Sequence, residues 1–501
     1  MNPRILGYLP MLILSAGALL VFICGALVPS RDRLFRAIAL VASGVACLAA
    51  FTLAPDASQT LIDAGPQARF FTVLISGLTF ICLLFAGEYA RRRGFERDEF
   101  HALVLLSALG MVLFAVSTDW IMSSIGLETL SLPLYVLIAS RRDDSLSLEA
   151  AVKYFVMGAV ASAMFFFGAA LLYAVSGTLD IGRSLALAGM QGMALLGLGF
   201  ILVGLAFKLS LAPLHLWTPD VYQGAPAPVA AFLSGGAKVA VFAALVRIAM
   251  TGAPAWRAME PALWAFAALS MTAGTLGALT QNRVKRMMAY SSVAHMGYLV
   301  LALLAVFYAG AGPAMFAAAA FGVMDVAVFG SLGLLSPTGQ DADLLDSLRG
   351  MGLARPGMAA VLAVSLLTLG GLPPTVGFMS KVVVFKAALS AGYLWLSAIG
   401  IFWAIVGVFY ILRVLMAMYV PNGTGKREPD AVADLEAEVR PDLESGQVPS
   451  QYSGQGAGSL LLAPGFTGWL ALALSALLMI GLGVLPMPVL DAAAWVVKAL
   501  P

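Results

Sequence analysis

Apolar residues run along this chain in long unbroken blocks separated by short polar ones, and the blocks recur at the length of a membrane crossing. A helix needs roughly 20 apolar residues to span a bilayer core. About fourteen blocks meet that criterion, beginning with 6–28, 35–54 and 69–88 and ending with 465–486, before a short apolar tail at 489–500. The first block has no small-residue cleavage site after it and reads as a retained span. Two blocks depart from the pattern. Residues 191–221 contain Pro213 and Pro219, and residues 357–390, too long for one straight crossing, contain Gly370, Gly371, Pro373 and Pro374. Proline removes a backbone donor and breaks the helix ladder. In lipid such a break survives only where protein or a water-filled cavity satisfies the freed groups. Paired interrupted helices in two halves of a chain point to a transport site. The predicted fold class is therefore an all-α polytopic membrane protein.

Composition agrees with that reading. Of 501 residues, 61% are hydrophobic and 11% charged, against about 45–50% and 25% in soluble domains. An ordinary soluble enzyme and any disordered or fibrous class are excluded. The formal net charge of +2 offers no field for nucleic acid. Cys24, Cys47 and Cys82 lie in apolar runs without metal-ligand spacing and read as small buried hydrophobes. The loops after alternate spans carry 17 Lys and Arg, among them Arg31, Arg91, Arg141, Arg283, Lys285, Arg286 and Arg355, against six on the opposite side. Positive charge stays inside, so both termini are expected on the outer side. One long polar stretch, 421–462, is rich in Gly, Pro, Ser and acid and is expected to be a flexible cytoplasmic loop.

Arg413 sits near a span end, and the cations that remain are all lysines in apolar segments: Lys153, Lys208, Lys238, Lys381 and Lys386. A desolvated lysine can release its proton near neutral pH, whereas arginine cannot. Each mid-membrane lysine costs at least ~2.5–3.5 kcal/mol to insert. Lys208, five residues before Pro213, Lys238 in FLSGGAKVAVF, and Lys381, just after the second break, are the strongest proton-transfer candidates. Lys153, about a turn inside a span end, and Lys386 either extend the path or snorkel outward. Glu128, mid-span in IMSSIGLETLSL, is the expected anionic partner for one lysine, the alternative being a structural ion pair locking two helices. His295 lies beside Ser291, Ser292 and Tyr298 and suits a relay between half-chains. His215 either relays protons or donates to a freed carbonyl. Asp325 is the other acid inside a span, and His101 is placed at a membrane edge. Glu128 precedes Lys208 by 80 residues and His295 precedes Lys381 by 86, which suggests a duplicated half-channel.

The segment GLAFKLSLAPLHLWTPDVYQGAPAPVAAFLSGGAKVAVF closely resembles the central signature of the antiporter-like membrane subunits of respiratory complex I, and its D-V-Y-x-G-A-P form is similar to that of subunit N. TQNRVKRMMAYSSVAHMGYL and LGGLPPTVGFMSKVVVF fit the same subunit, and the likeness spans roughly residues 100–420. The resemblance implies fourteen transmembrane helices with two inverted five-helix repeats, each holding a broken helix. The division it suggests is an N-terminal three-helix segment (1–100), a first half (101–250), a second half (261–420), the loop at 421–462 and a C-terminal helix with its tail (463–501). It further implies a proton path in which Glu128 and Lys208 are the input pair, Lys238 the bridge, His295 a member of the central polar axis and Lys381 the lysine of the second broken helix. Lys153, His215, Asp325 and Lys386 are secondary. NADH, FMN, iron–sulfur clusters and quinone belong, on this resemblance, to other subunits, with no cofactor or metal on this chain. The implied partners are neighbouring antiporter-like and small membrane subunits and the lipid of a bacterial inner membrane. Two features depart from the family: the polar loop, and Asp325, which stands where a neutral residue is expected. A subunit of a multi-subunit sodium/proton antiporter is the nearest rival, a scaffold with buried ion pairs a more distant one.

Overall fold

The computed structural model describes residues 3–27, 32–52, 61–93, 98–189, 192–251, 254–336, 343–420, 464–487 and 490. The polar loop expected at 421–462 lies outside the described residues, as does the apolar tail at 489–500 apart from residue 490.

Every described crossing is helical, because backbone groups in lipid must pair within their own segment. Helices α1 (Pro3–Leu27), α2 (Asp32–Thr52) and α3 (Pro66–Arg93) bundle with α4 (Asp98–Val116). Then come α5 (Trp120–Ile138), α6 (Ser145–Ser176), a short α7 (Ile181–Ala188), α8 (Gly192–Lys208) and α9 (Trp217–Gly224). One helix follows, running from α10 (Ala227–Ala231) through a π-turn (Phe232–Ala237) into α11 (Lys238–Met250). After the short α12 (Pro254–Ala258) come α13 (Glu260–Leu279), α14 (Val284–Leu304), the single turn α15 (Val306–Ala309) and α16 (Gly312–Leu335). The chain continues through the single turn α17 (Met351–Ala354), α18 (Pro356–Gly370), α19 (Val376–Ser390) and α20 (Leu394–Tyr419). The last helix, α21 (Phe466–Val484), packs against α3, α16, α18 and α19. Among the described residues, 12 helices are long and apolar enough to cross a membrane. The broken pairs α8–α9 and α18–α19 each add one crossing, which makes fourteen. In the block 191–221 the first helix ends at Lys208, and 357–390 divides at residues 371–375.

An internal repeat is visible in the backbone. Asp119 pairs with Asp180 in an isolated antiparallel bridge, and Arg283 pairs with Leu344 in another, both residues being displaced by the same 164 positions (119 to 283, 180 to 344). Gly110 and Gly274 are related by that same shift. A methyl at Gly110 would run into the α5 backbone at Thr129 and Leu130, and one at Gly274 into the α14 backbone at Ala294. Both repeats thus open with a tightly packed antiparallel helix pair. The first repeat has five crossings: α4, α5, α6, α8–α9 and α10–α11. Five is odd, so the second starts from the opposite membrane face and is inverted.

The windows defining α10–α11 and α16 are completely buried and that of α14 nearly so, whereas α6 and α20 turn large apolar side chains such as Phe155, Val160, Ile405 and Phe409 outward. The three buried helices carry Lys238, His295 and Asp325.

Candidate functional site

The first break positions Lys208. Helix α8 ends with Ser210 in the left-handed region (φ 62°), a conformation uncommon for a residue other than glycine. Leu211 N–H donates back to Ala206 O at 2.8 Å and Ser210 N–H to Phe207 O at 2.9 Å. Side chains take up the other groups the break frees. Trp217 Nε1 donates to Phe207 O (3.0 Å), and Ala212 N–H donates to Ser270 Oγ on α13 (2.9 Å). Lys208, the last residue of α8, sits at the negative end of its helix dipole and is buried. Its Nζ donates to Ser131 Oγ at 2.9 Å and lies 5.7 and 5.5 Å from the ring centres of Tyr135 and Tyr154, within cation–π range.

Lys238 opens α11 and is fully buried. Its Nζ donates to Ser292 Oγ on α14 (2.7 Å) above the ring of Tyr222. Ser292 and Ser234 hydroxyls are 3.2 Å apart, and Ser234 donates to Asp325 Oδ2. Asp325, a secondary candidate in the sequence, therefore belongs to the lysine cluster.

The second break holds Lys381. Helix α18 closes with Gly371 at φ 80°, Gly371 N–H donating to Thr368 O (3.0 Å) and Leu372 N–H to Leu367 O (3.1 Å). Lys381 reaches across from α19 to the carbonyls of Leu369 (3.2 Å) and Gly370 (2.8 Å), so the cation occupies the acceptors that the break sets free. His295 Nδ1 bonds Ser291 O at 2.8 Å. A carbonyl only accepts, so Nδ1 carries a proton in this bond. Nε2 is buried and makes no hydrogen bond. His295 and Lys381 line two small cavities, of about 20 Å³ with Ser380 and Phe321 and about 10 Å³ with Leu369 and Tyr410. Each is close to the size that holds one water.

The duplicated spacing expected from the sequence needs correction by one helical turn. Under the 164-residue shift, Glu128 corresponds to Ser292 and Ser131 to His295. In each half, the residue at the 131/295 position is the one facing the lysine of the broken helix. The breaks themselves are related by 161 residues (Ser210 to Gly371, Pro213 to Pro374), so Lys381 corresponds to Asp220 and lies on the other arm of its broken helix from Lys208.

Glu128 forms no ion pair among the described residues. Its Oε1 is buried without a hydrogen bond, beside a laterally open groove of about 630 Å³ lined by Leu103, Ile125, Leu132 and Phe166. Ser131, one turn further along α5, takes the lysine in its place. Lys153 is partly exposed and paired with Glu149 (2.7 Å) and Asp220 (2.8 Å), and Asp220 also binds Arg286, an ion-pair network that joins α6, α9 and α14. Lys386 is exposed, as snorkelling requires. His215 Nδ1 is buried without a partner. His101, expected at an edge, is buried with neither ring nitrogen hydrogen-bonded. Lys285, counted from the sequence among loop charges, joins Lys208, Lys238 and Lys381 as a fourth interior lysine: it is 1% exposed and donates to Ala225 O at 2.6 Å. Arg413 donates to Leu279 O at the end of α13 (2.9 Å), as its span-end position suggested.

Broken helices, inverted repeats and a string of buried cations define an antiporter-like membrane subunit. The family model described as "NADH:quinone oxidoreductase/Mrp antiporter, TM" matches residues 117–407. The chain is 52% identical over 363 residues to NADH-quinone oxidoreductase subunit N 1 of Solidesulfovibrio magneticus, covering 71% of this chain and 78% of that one. It is 42% identical over 433 residues to subunit N of Geobacter metallireducens, covering 85% and 92%. Among solved structures it is similar to a chain of respiratory complex I from Thermus thermophilus (TM-score 0.76, 32% identity, 97% and 99% covered). Its fold is also that of a chain of the Mrp complex from Dietzia (TM-score 0.84, 22% identity, 100% and 98% covered). The chain belongs to the subunit N family of NADH-quinone oxidoreductase.

Proposed function

We propose that this chain translocates protons as the N subunit of an NADH:quinone oxidoreductase in a bacterial inner membrane, with both termini on the periplasmic side. NADH, FMN, iron–sulfur clusters and quinone would reside on other subunits, whose redox turnover drives the charge changes here. Neighbouring antiporter-like and small membrane subunits are the partners. Protons pass along Glu128, Lys208, Lys238, His295 and Lys381. One observation carries the reading: the ammonium groups of Lys208, Lys238 and Lys381 are all held by neutral acceptors, namely hydroxyls or carbonyls. A lysine so held gives up its proton without abandoning a partner carboxylate. A scaffold of locked ion pairs has the opposite signature, shown in this chain by Lys153 and by Arg247 with Asp63.

The test is Lys381→Ala in the assembled complex reconstituted into vesicles. It should assemble with its redox partners and lose most proton pumping per NADH oxidised; wild-type pumping and quinone reduction would overturn the assignment. The sodium/proton antiporter alternative predicts sodium-dependent transport without redox partners.

A further inference from the structure

Asp325 is an acid buried at 2% exposure in the completely buried α16, and burying a carboxylate is expensive unless it is paired and hydrogen-bonded. Its position is built. Helix α16 approaches the π-turn so closely that a methyl on Gly235 would meet Val326 Cγ2 at 2.6 Å and Gly322 O at 2.8 Å. That approach brings Ser234, in the same π-turn, against the Asp325 carboxylate. π-turns are rare and recur at functional sites. Ser292 on α14 completes the set, 3.2 Å from Ser234 and 2.7 Å from Lys238 Nζ.

The donors in this chain have one consistent direction. The ammonium of Lys238 can only donate, so Ser292 accepts from it. Ser234 spends its single hydroxyl hydrogen on Asp325, so Ser292 donates to Ser234. Every hydrogen therefore points from Lys238 towards Asp325.

We propose that Asp325 is a further proton-relay residue, exchanging a proton with Lys238 through the hydroxyls of Ser292 and Ser234. In the forward step an N–H bond of Lys238 breaks as a new O–H bond forms on Ser292. Ser292 passes its original hydrogen to Ser234, and Ser234 passes its own to Asp325 Oδ2. Lys238 ends as a neutral amine, Asp325 as a carboxylic acid, and both serines remain hydroxyls with reversed orientation. Charge separation collapses without the lysine and aspartate touching. The Tyr222 ring from α9 lies 5.1 Å from Lys238 Nζ, within cation–π range, while His295 stands one turn from Ser292 on α14. This inference rests on the proposed proton path and adds an acidic branch at its midpoint.

The test uses the purified complex in vesicles, scoring subunit co-purification, NADH oxidation and proton pumping. Asp325→Asn keeps the side-chain volume, and Ser234→Ala keeps both charges but cuts the hydroxyl bridge. Both should assemble and lose at least tenfold in pumping rate. The double variant Lys238→Met/Asp325→Asn, which lacks a path lysine, is read for assembly alone: a structural counter-ion predicts that Asp325→Asn impairs subunit co-purification and that removing both charges restores it, whereas a relay predicts that both variants co-purify normally. Wild-type pumping in either single variant, or an assembly defect of Asp325→Asn that the double variant repairs, would overturn the inference. If those results came with Lys381→Ala still inactive, the acidic branch alone would fall; if Lys381→Ala also pumped normally, the proton path itself would.

Discussion

Gly371→Ala tests whether the second break exists to seat Lys381. Gly371 sits at φ 80°, and a methyl there would lie 2.8 Å from both Cδ and Nζ of Lys381. Two costs follow. Holding alanine in the left-handed region costs roughly 1–2 kcal/mol. The methyl also occupies the path of the lysine, and a flexible side chain gives way before the backbone does. Lys381 then leaves the carbonyls of Leu369 and Gly370, each contact being a hydrogen bond from a charged donor, worth about 1.5–3 kcal/mol. Losing one such bond changes the population of seated lysine by roughly 10–100-fold, at 1.4 kcal/mol per tenfold. Gly370→Ala is the matched control: its φ is not left-handed, and its methyl would meet only Leu372 Cδ1 at 3.0 Å and Ile411 Cγ2 at 3.9 Å. In reconstituted complex, Gly371→Ala should pump at a tenth of the wild-type rate or less, while Gly370→Ala should stay within about threefold. Equal pumping by the two variants would refute the claim that the αL turn places the lysine.

Two other substitutions probe the first half. Ser131→Ala removes the hydroxyl that holds Lys208, leaves a buried ammonium short of a partner, and should cost about 1–3 kcal/mol of stability together with a clear fall in pumping; an unchanged melting temperature and rate would show that Tyr135 suffices. Lys153→Gln should keep pumping within about twofold, because its partly exposed pairs contribute only about 0–1 kcal/mol each, and a loss comparable to that in Lys381→Ala would return Lys153 to the proton path.

The crossings and the two breaks were legible in sequence because lipid imposes a length and proline removes a donor, and both signals are local. Which helices lie at the centre was not. Helices α13 and α14 have the same mean hydropathy, yet one faces outward over much of its surface and the other is almost wholly enclosed. Any helix in lipid must be apolar whatever surrounds it, so hydropathy carries no information about burial by protein. Lys285 was misplaced for a related reason. It stands between Arg283 and Arg286, near other loop cations, but α14 begins at Val284, and successive helical residues point about 100° apart. The usable signal was the helix start; charge density alone could not say which cation turns inward.

The repeat register shows where pairwise spacing fails. Glu128 and His295 looked equivalent because each is an ionisable group on a helix ahead of a lysine. The backbone bridges relate Glu128 to Ser292 instead, and Ser131 to His295. The two halves have thus divided their chemistry across one turn of the same helix. The first half keeps its carboxylate at the 128/292 position and a serine at 131/295; the second places a serine at the former, where it holds Lys238, and an imidazole at the latter, next to Lys381. A duplicated scaffold with unlike groups at matching positions has a physical consequence. If both halves carried the same groups, their proton affinities would match and no site would favour release over uptake. Glu128 beside an open lateral groove, Lys238 on a neutral hydroxyl that leads to Asp325, and Lys381 on freed carbonyls near a histidine are three different environments for charge. Differences in desolvation and hydrogen bonding are what set proton affinities apart. On the proposed path, this asymmetry between the repeats sets the order in which the sites take up and release protons, and redox turnover in the other subunits supplies the drive.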